Sequence, residues 1–220
     1  MTPTQFVRRL ADVEFVNCFN PYSQNCAEYD LRNAYKVRRN FLERLLKEAL
    51  KAEIDAFWVG RDLGYRGGRR TGLALTDEIN ASAYARRWGL EFCRSTKGDA
   101  CKERTASVIW DVLSRVPQPV FLWNVFPLHP YEVEHQFSNR AHNASERKVG
   151  EEILAVLESM LKPRRLIAVG NDAVSSISKL KDEDFCYKVR HPSYGGHVDF
   201  VEKMCELYSL DGLGKQSELF

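Results

Sequence analysis

The chain has 220 residues, 44% of them apolar, and a formal net charge of only +2. That is enough to bury one sizeable core and short for two, and the near-neutral balance excludes polyanion binding driven by bulk charge, leaving only local clusters of Lys and Arg to do it. No window approaches the roughly 20 apolar residues of a membrane span, and the opening MTPTQFVRRLADVEF lacks the apolar stretch of a secretion signal, so a monomeric, cytoplasmic, unexported single domain with reduced thiols is expected over residues 1–220.

The leading segment, about 1–52, is read as helical: residues 27–52 place Leu31, Tyr35, Leu42, Leu45, Leu46 and Ala49 at helical spacing. From about 53 to 210 the pattern alternates. IDAFWVG reads as a buried strand closed by glycine, and Thr76 is expected to cap a helix running to about Arg87. ERTASVIWDVLSRV is a helix stopped by PQP, before the strand VFLWNVF. A helix from about Ser145 to Leu161, the strand RRLIAVG, the short helix NDAVSSISKL, the strand FCYKVRHP and the helix VDFVEKMCELYSL complete the chain. Such β-α alternation predicts an α/β protein, a three-layer α/β/α sandwich around a mostly parallel four-stranded sheet, because parallel strands need crossover connections.

In sheets of this kind ligands lie beyond the carboxyl ends of the strands, which directs attention to GRDLGYRGG, NVFPLHP, GNDA and RHPSYGG. The stretch from Trp58 to Glu78 holds five glycines and four arginines, the composition of a loop facing phosphate. From the four loops the candidate chemistry is a carboxylate, Asp62, an amide, Asn124, and an imidazole, His191. A carboxylate and a histidine on opposite sides of a scissile bond stabilise positive and negative charge respectively, as cleavage through a cation-like sugar requires; an asparagine reads a donor and an acceptor together. Cys18 and Cys26 repeat the spacing of Cys93 and Cys101, but neither pair forms a metal knuckle, and His129 and His135 lack a third ligand. No metal and no cofactor are expected.

These segments resemble, in order, the signature segments of the uracil-DNA glycosylase superfamily over roughly residues 55–200, and FNPY, GYRGGRRTG, FPLHP and SNR resemble one bacterial branch without the iron-sulfur cysteine pattern. The resemblance implies that His191, Pro192 and Ser193 supply the catalytic histidine and an inserting loop, that Asp62 assists water and the sugar cation, and that Asn124 recognises an extruded uracil. Arg61 stands where another branch has a glutamate. Gly60 and Gly64 fall in the base pocket; the most uracil-exclusive branch has a tyrosine at the position of Gly64, and Tyr65 is its neighbour here. Leu75 falls where an aromatic ring stacks on the base. Arg66, Arg69 and Arg70, with Ser193, Tyr194 and Gly195, are the expected DNA contacts.

The implied function is hydrolysis of the N-glycosidic bond of uracil, or a related damaged base, in DNA during base excision repair, with free uracil as product and no membrane partner. Two alternatives stay open: a noncatalytic lesion-binding module of the same fold, and a nucleotide or sugar-phosphate hydrolase.

Overall fold

The structure, a computed structural model, describes residues 1–193 and 195–210. Helix α1 (Pro3–Ala11) starts at a capping box: the Thr2 hydroxyl accepts the Gln5 amide, and the Gln5 side chain accepts the Thr2 amide. Pro3 sits at the first helical position, where a missing N–H is harmless. There follow β1 (Cys18–Phe19), α2 (Ala34–Ala49), β2 (Ala56–Asp62), the single turn α3 (Gly68–Thr71), α4 (Ala81–Arg87) and α5 (Arg104–Leu113). The second half comprises β3 (Val120–Phe126), β4 (His129–Pro130), α6 (Ala144–Leu161), β5 (Arg165–Val169), α7 (Asn171–Ile177), β6 (Cys186–Val189) and α8 (His197–Tyr208).

Four strands form one sheet in the order β3-β2-β5-β6, and every neighbouring pair is parallel. Strands β2 and β3 are buried on both faces, which is why they read as unbroken apolar runs. Alternate side chains face opposite layers. Trp123 meets Phe6 of α1 at 5.8 Å between ring centroids, whereas Trp58 turns the other way, packs on Phe200 and Tyr208 of α8, and donates its Nε1–H to the Tyr208 hydroxyl at 2.8 Å. Helices therefore cover both faces, as the alternation predicts. No described helix is long and apolar enough to cross a membrane.

Two expectations are corrected. Helix α2 begins at Ala34, not near residue 27, because Asp30 is drawn into a buried ion pair with Arg38 at 2.8 Å and a backbone bridge to Thr96. Thr76 caps no helix: its hydroxyl donates to the Ala74 carbonyl, and α4 starts only at Ala81. Asp77 and Glu78 turn inward instead, accepting the amides of Glu103 and Cys101 at 2.7 and 2.8 Å. A short antiparallel ribbon of β1 and β4, which sequence periodicity does not announce, closes over the sheet's carboxyl end region through Leu128, whose carbonyl accepts the Leu63 amide.

Candidate active site

The parallel register fixes what stands at the strand ends. Gly60 pairs with Asn124 and Asp62 with Phe126, so the carboxylate lies two residues further along the neighbouring strand than the amide. The turn after β5 brings Gly170 and Asp172, and the segment after β6 brings His191, to the same cavity of about 470 Å³, which Asp62, Gly64, Leu75, Glu103, Asn139 and Arg140 also line.

Both oxygens of the Asp62 carboxylate are engaged. Oδ1 meets His142 Nδ1 at 2.5 Å, and Oδ2 accepts the Arg61 Nε–H at 2.7 Å. Arg61 then reaches Asp172 Oδ2 at 3.2 Å. With Oδ1 as acceptor, His142 is the donor, so its Nδ1 carries a proton. His142 precedes the Asn143–Glu146 capping box of α6, and Glu146 also grips Arg140 through two contacts of 2.6 and 2.7 Å. The loop carrying His142 is thereby held rigid. Sequence reasoning missed this histidine: the capping box is local and legible, but the contact with Asp62 spans the fold.

Among the described residues, His191 is held by hydrogen bonds from Ser193 alone. Its Nδ1 lies 2.6 Å from the Ser193 hydroxyl and accepts the Ser193 backbone N–H at 3.2 Å. A backbone amide can only donate, so Nδ1 is unprotonated and the ring hydrogen resides on Nε2. Burial pushes the imidazole's pKa below its ordinary 6.5, the positive field of Arg61 adds to this, and Asp172 opposes it. At neutral pH the ring is an uncharged N–H donor.

Asn124 differs from all of these. Its side chain is buried, and among the described residues neither Oδ1 nor Nδ2 has a hydrogen-bond partner. Such orphaned groups are scarce in folded proteins because leaving one unsatisfied costs about 1–3 kcal/mol. Gly60 permits this placement, since a Cβ there would stand 2.5 Å from Asn124 Oδ1 and 2.8 Å from Leu75 Cδ2. Leu75 adopts a left-handed backbone with φ +54°, an unfavourable conformation for a bulky side chain. Strain and an unpaired amide thus meet at one spot, where Leu75 forms part of the cavity wall.

No protein-family model and no curated protein matches the sequence. Among solved structures, wild-type Pedobacter heparinus SMUG2 matches with a TM-score of 0.60 at 13% identity, over 95% of this chain and 97% of that one. The chain has the SMUG2 fold. SMUG2 is a uracil-DNA glycosylase family member, which agrees in fold with the resemblance carried by the sequence segments.

The remaining expected residues divide. Arg66 is exposed, rests over the Tyr65 ring at 5.5 Å and donates to its hydroxyl. Arg69 and Arg70 are not available to a phosphate. Arg69 is 1% exposed, stacks on Phe19 at 4.0 Å, and donates to Tyr29, His129 and the Gln136 carbonyl. Arg70 pairs with buried Glu78 at 2.8 Å and lies over Tyr29 at 4.0 Å. Aromatic faces, with the Gln136 carbonyl for Arg69 and the Glu78 carboxylate for Arg70, hold both guanidinium groups inside, where they fasten the glycine-rich loop to its neighbours.

Ser193 uses its hydroxyl and amide on His191, Gly195 is exposed at φ +77°, and Tyr194 lies outside the described residues. Tyr65 is turned to Arg66 and does not enter the space beside Gly64. That space holds the carboxyl of Glu103, which a Cβ on Gly64 would approach to 2.6 Å. Glu103, read from sequence as the first residue of a helix, stands at the N-cap of α5 without capping it.

Proposed function

We propose that the protein is a DNA glycosylase that hydrolyses the N-glycosidic bond of an extruded uracil, or a related damaged base, in DNA, acting as a monomer without a cofactor. The observation that carries the reading is the buried, unpartnered amide of Asn124, next to Gly60 and two residues in register from Asp62, with Leu75 against the same glycine. An amide presents one donor and one acceptor, the complement of the N3–H and O4 edge of uracil. A base inside a duplex cannot reach it, so the nucleotide must leave the stack at a cost of a few kcal/mol.

Chemistry follows from the two sides of the cavity. As the glycosidic bond breaks, its electron pair goes to the departing base and positive charge grows on the sugar. The neutral His191 donates from Nε2 to the base oxygen on which negative charge accumulates, in the manner of an oxyanion hole. The Asp62 carboxylate faces the sugar cation and orients the attacking water, whose proton ends on the Asp62–His142 pair. His142 acts through Asp62 and is a positioning residue. Exposed Arg66 and the turn at Gly195 are the proposed phosphate contacts.

Arg61 supplies the one observation favouring a noncatalytic lesion-binding module, since its guanidinium occupies Asp62 Oδ2. A carboxylate has lone pairs for more than two partners, so this contact does not displace a water. Incubating the protein with oligonucleotides carrying uracil, hypoxanthine, xanthine or mismatched thymine, then treating with alkali, distinguishes the readings. Strand scission at uracil or another damaged base is the expected outcome; binding without scission across the panel would establish the noncatalytic module.

A further inference from the structure

Glu103 is a polar group of the cavity itself whose carboxyl has no partner among the described residues. Its backbone amide is bound by Asp77, but no hydrogen bond or ion pair joins its carboxyl to any described residue. The carboxyl lies over Gly64 and Gly67, whose lack of side chains makes the room for it. A side chain at Gly64 would close the wall, as a tyrosine would. With glycine there, the wall of the cavity is an acid.

We propose that Glu103 is a specificity-determining residue of this same site, hydrogen-bonding a polar group on the edge of the extruded base that lies over Gly64 and Gly67. The proposal rests on the glycosylase reading for its class of ligand. Asn124 then reads one edge of the base and Glu103 another, and an apolar substituent on the Glu103 side is disfavoured because it leaves the carboxyl buried and unpaired.

The charge state of Glu103 makes the proposal specific. Burial, reinforced by the negative Asp77 and opposed by Arg66, raises its pKa from 4.5 to about 7. Below that value the neutral acid tolerates an apolar neighbour. Above it the carboxylate demands a donor. Discrimination between a base with a hydroxyl on this side and an isostere with a methyl must therefore grow as pH rises through about 7. Arg61, Asp62, Arg140, Asp172 and His191 face the same cavity, and their titrations affect both bases alike, so the ratio of the two isolates Glu103.

The test compares 5-hydroxymethyluracil with 5-ethyluracil, which differ only in a terminal hydroxyl or methyl. Single-turnover release from oligonucleotides is measured between pH 6 and 8, together with NMR titration of the two free bases, for wild type, Glu103→Gln and Glu103→Leu. Wild type should favour the hydroxymethyl base by about tenfold or more at pH 8, with the preference shrinking toward pH 6. Glu103→Gln should keep a preference that no longer varies with pH, and Glu103→Leu should lose it. A wild-type ratio and pH dependence retained by Glu103→Leu would overturn the proposal. If wild type releases no base from any oligonucleotide, the glycosylase reading fails and the free-base titrations decide Glu103 alone; if it releases uracil but the ratio ignores Glu103, the glycosylase reading stands and this inference falls.

Discussion

The two walls of the cavity are built on opposite principles. On one, Asp62, His142, Arg61 and Asp172 form a continuous hydrogen-bonded chain, and His191 is fixed by Ser193. On the other, two groups have no hydrogen-bond partner among the described residues: the half-buried Glu103 carboxyl, which lines the cavity, and the fully buried Asn124 amide, which lies beside Gly60 near the cavity-lining Leu75. A saturated wall is preorganised to meet charge as it develops, with nothing to rearrange during reaction. An unsatisfied wall is costly in the free protein and recovers that cost only when matching polar groups arrive, which makes it selective.

The contrast breaks most visibly at the saturated wall. His191→Ala should slow single-turnover cleavage about 100-fold or more, since one oxyanion-type donor typically contributes that much. DNA affinity and its salt slope should stay as in wild type, because phosphate contacts set them. A steeper loss of binding than of rate would place His191 in DNA contact instead. His142→Ala should lower kcat by about tenfold and leave KM nearly unchanged, with His142→Gln restoring part of the rate by donating to Asp62. Equal rates for His142→Ala and wild type would mean Asp62 needs no positioning.

Arginines repeat the contrast outside the cavity. Arg69 is saturated and buried, so Arg69→Ala strands Tyr29, His129 and Gln136 and should destabilise the fold by about 2–4 kcal/mol in denaturant titration. Arg66→Ala should leave stability unchanged and reduce the salt slope of DNA binding by about 1. Reversal of the two effects would return Arg69 to the DNA surface.

At the unsatisfied wall the cost itself is measurable. The folded state keeps the Glu103 proton up to about pH 7, whereas the unfolded chain releases it near 4.5. Above pH 7 the buried carboxylate therefore carries its full penalty, and the penalty fades as pH falls toward 4.5. Glu103→Gln should exceed wild type in stability at pH 8 by about 2 kcal/mol and match it near pH 4.5. His129 moves the other way: burial and Arg69 lower its pKa from 6.5 to about 4, so stability is lost as pH falls through that range. It is common to both proteins and cancels in the comparison. A stability difference independent of pH would show that Glu103 is not held protonated.

What the sequence revealed follows from where the causes lie. Strands β2, β3 and β5 were legible because burial on both faces writes apolar runs, and the placement of Asp62, Asn124 and His191 near one edge of the sheet was legible because parallel topology sends the ends of such runs there. Arg69 misled because a run of arginines beside glycines looks the same whether its partner is a phosphate or a cage of Phe19, Tyr131 and Phe137 supplied by distant segments. His142 and Glu103 went unread for the same reason, since each acquires its meaning from a residue far along the chain, Asp62 in one case and Gly64 in the other. Helix α1 lies within the leading segment expected to be helical, and its start is legible in the capping box of Thr2-Pro3-Thr4-Gln5.

The division of labour between the walls is tested most directly by single-turnover cleavage of matched uracil and cytosine oligonucleotides by wild type, Asp62→Asn and Asn124→Asp. Asp62→Asn should cut the uracil rate about 100-fold or more without changing which base is preferred. Asn124→Asp should instead erode the preference for uracil, because a carboxylate cannot donate to the O4 carbonyl and accepts from the amino group of cytosine. Full uracil cleavage by Asp62→Asn, or an unaltered preference in Asn124→Asp, would contradict the account.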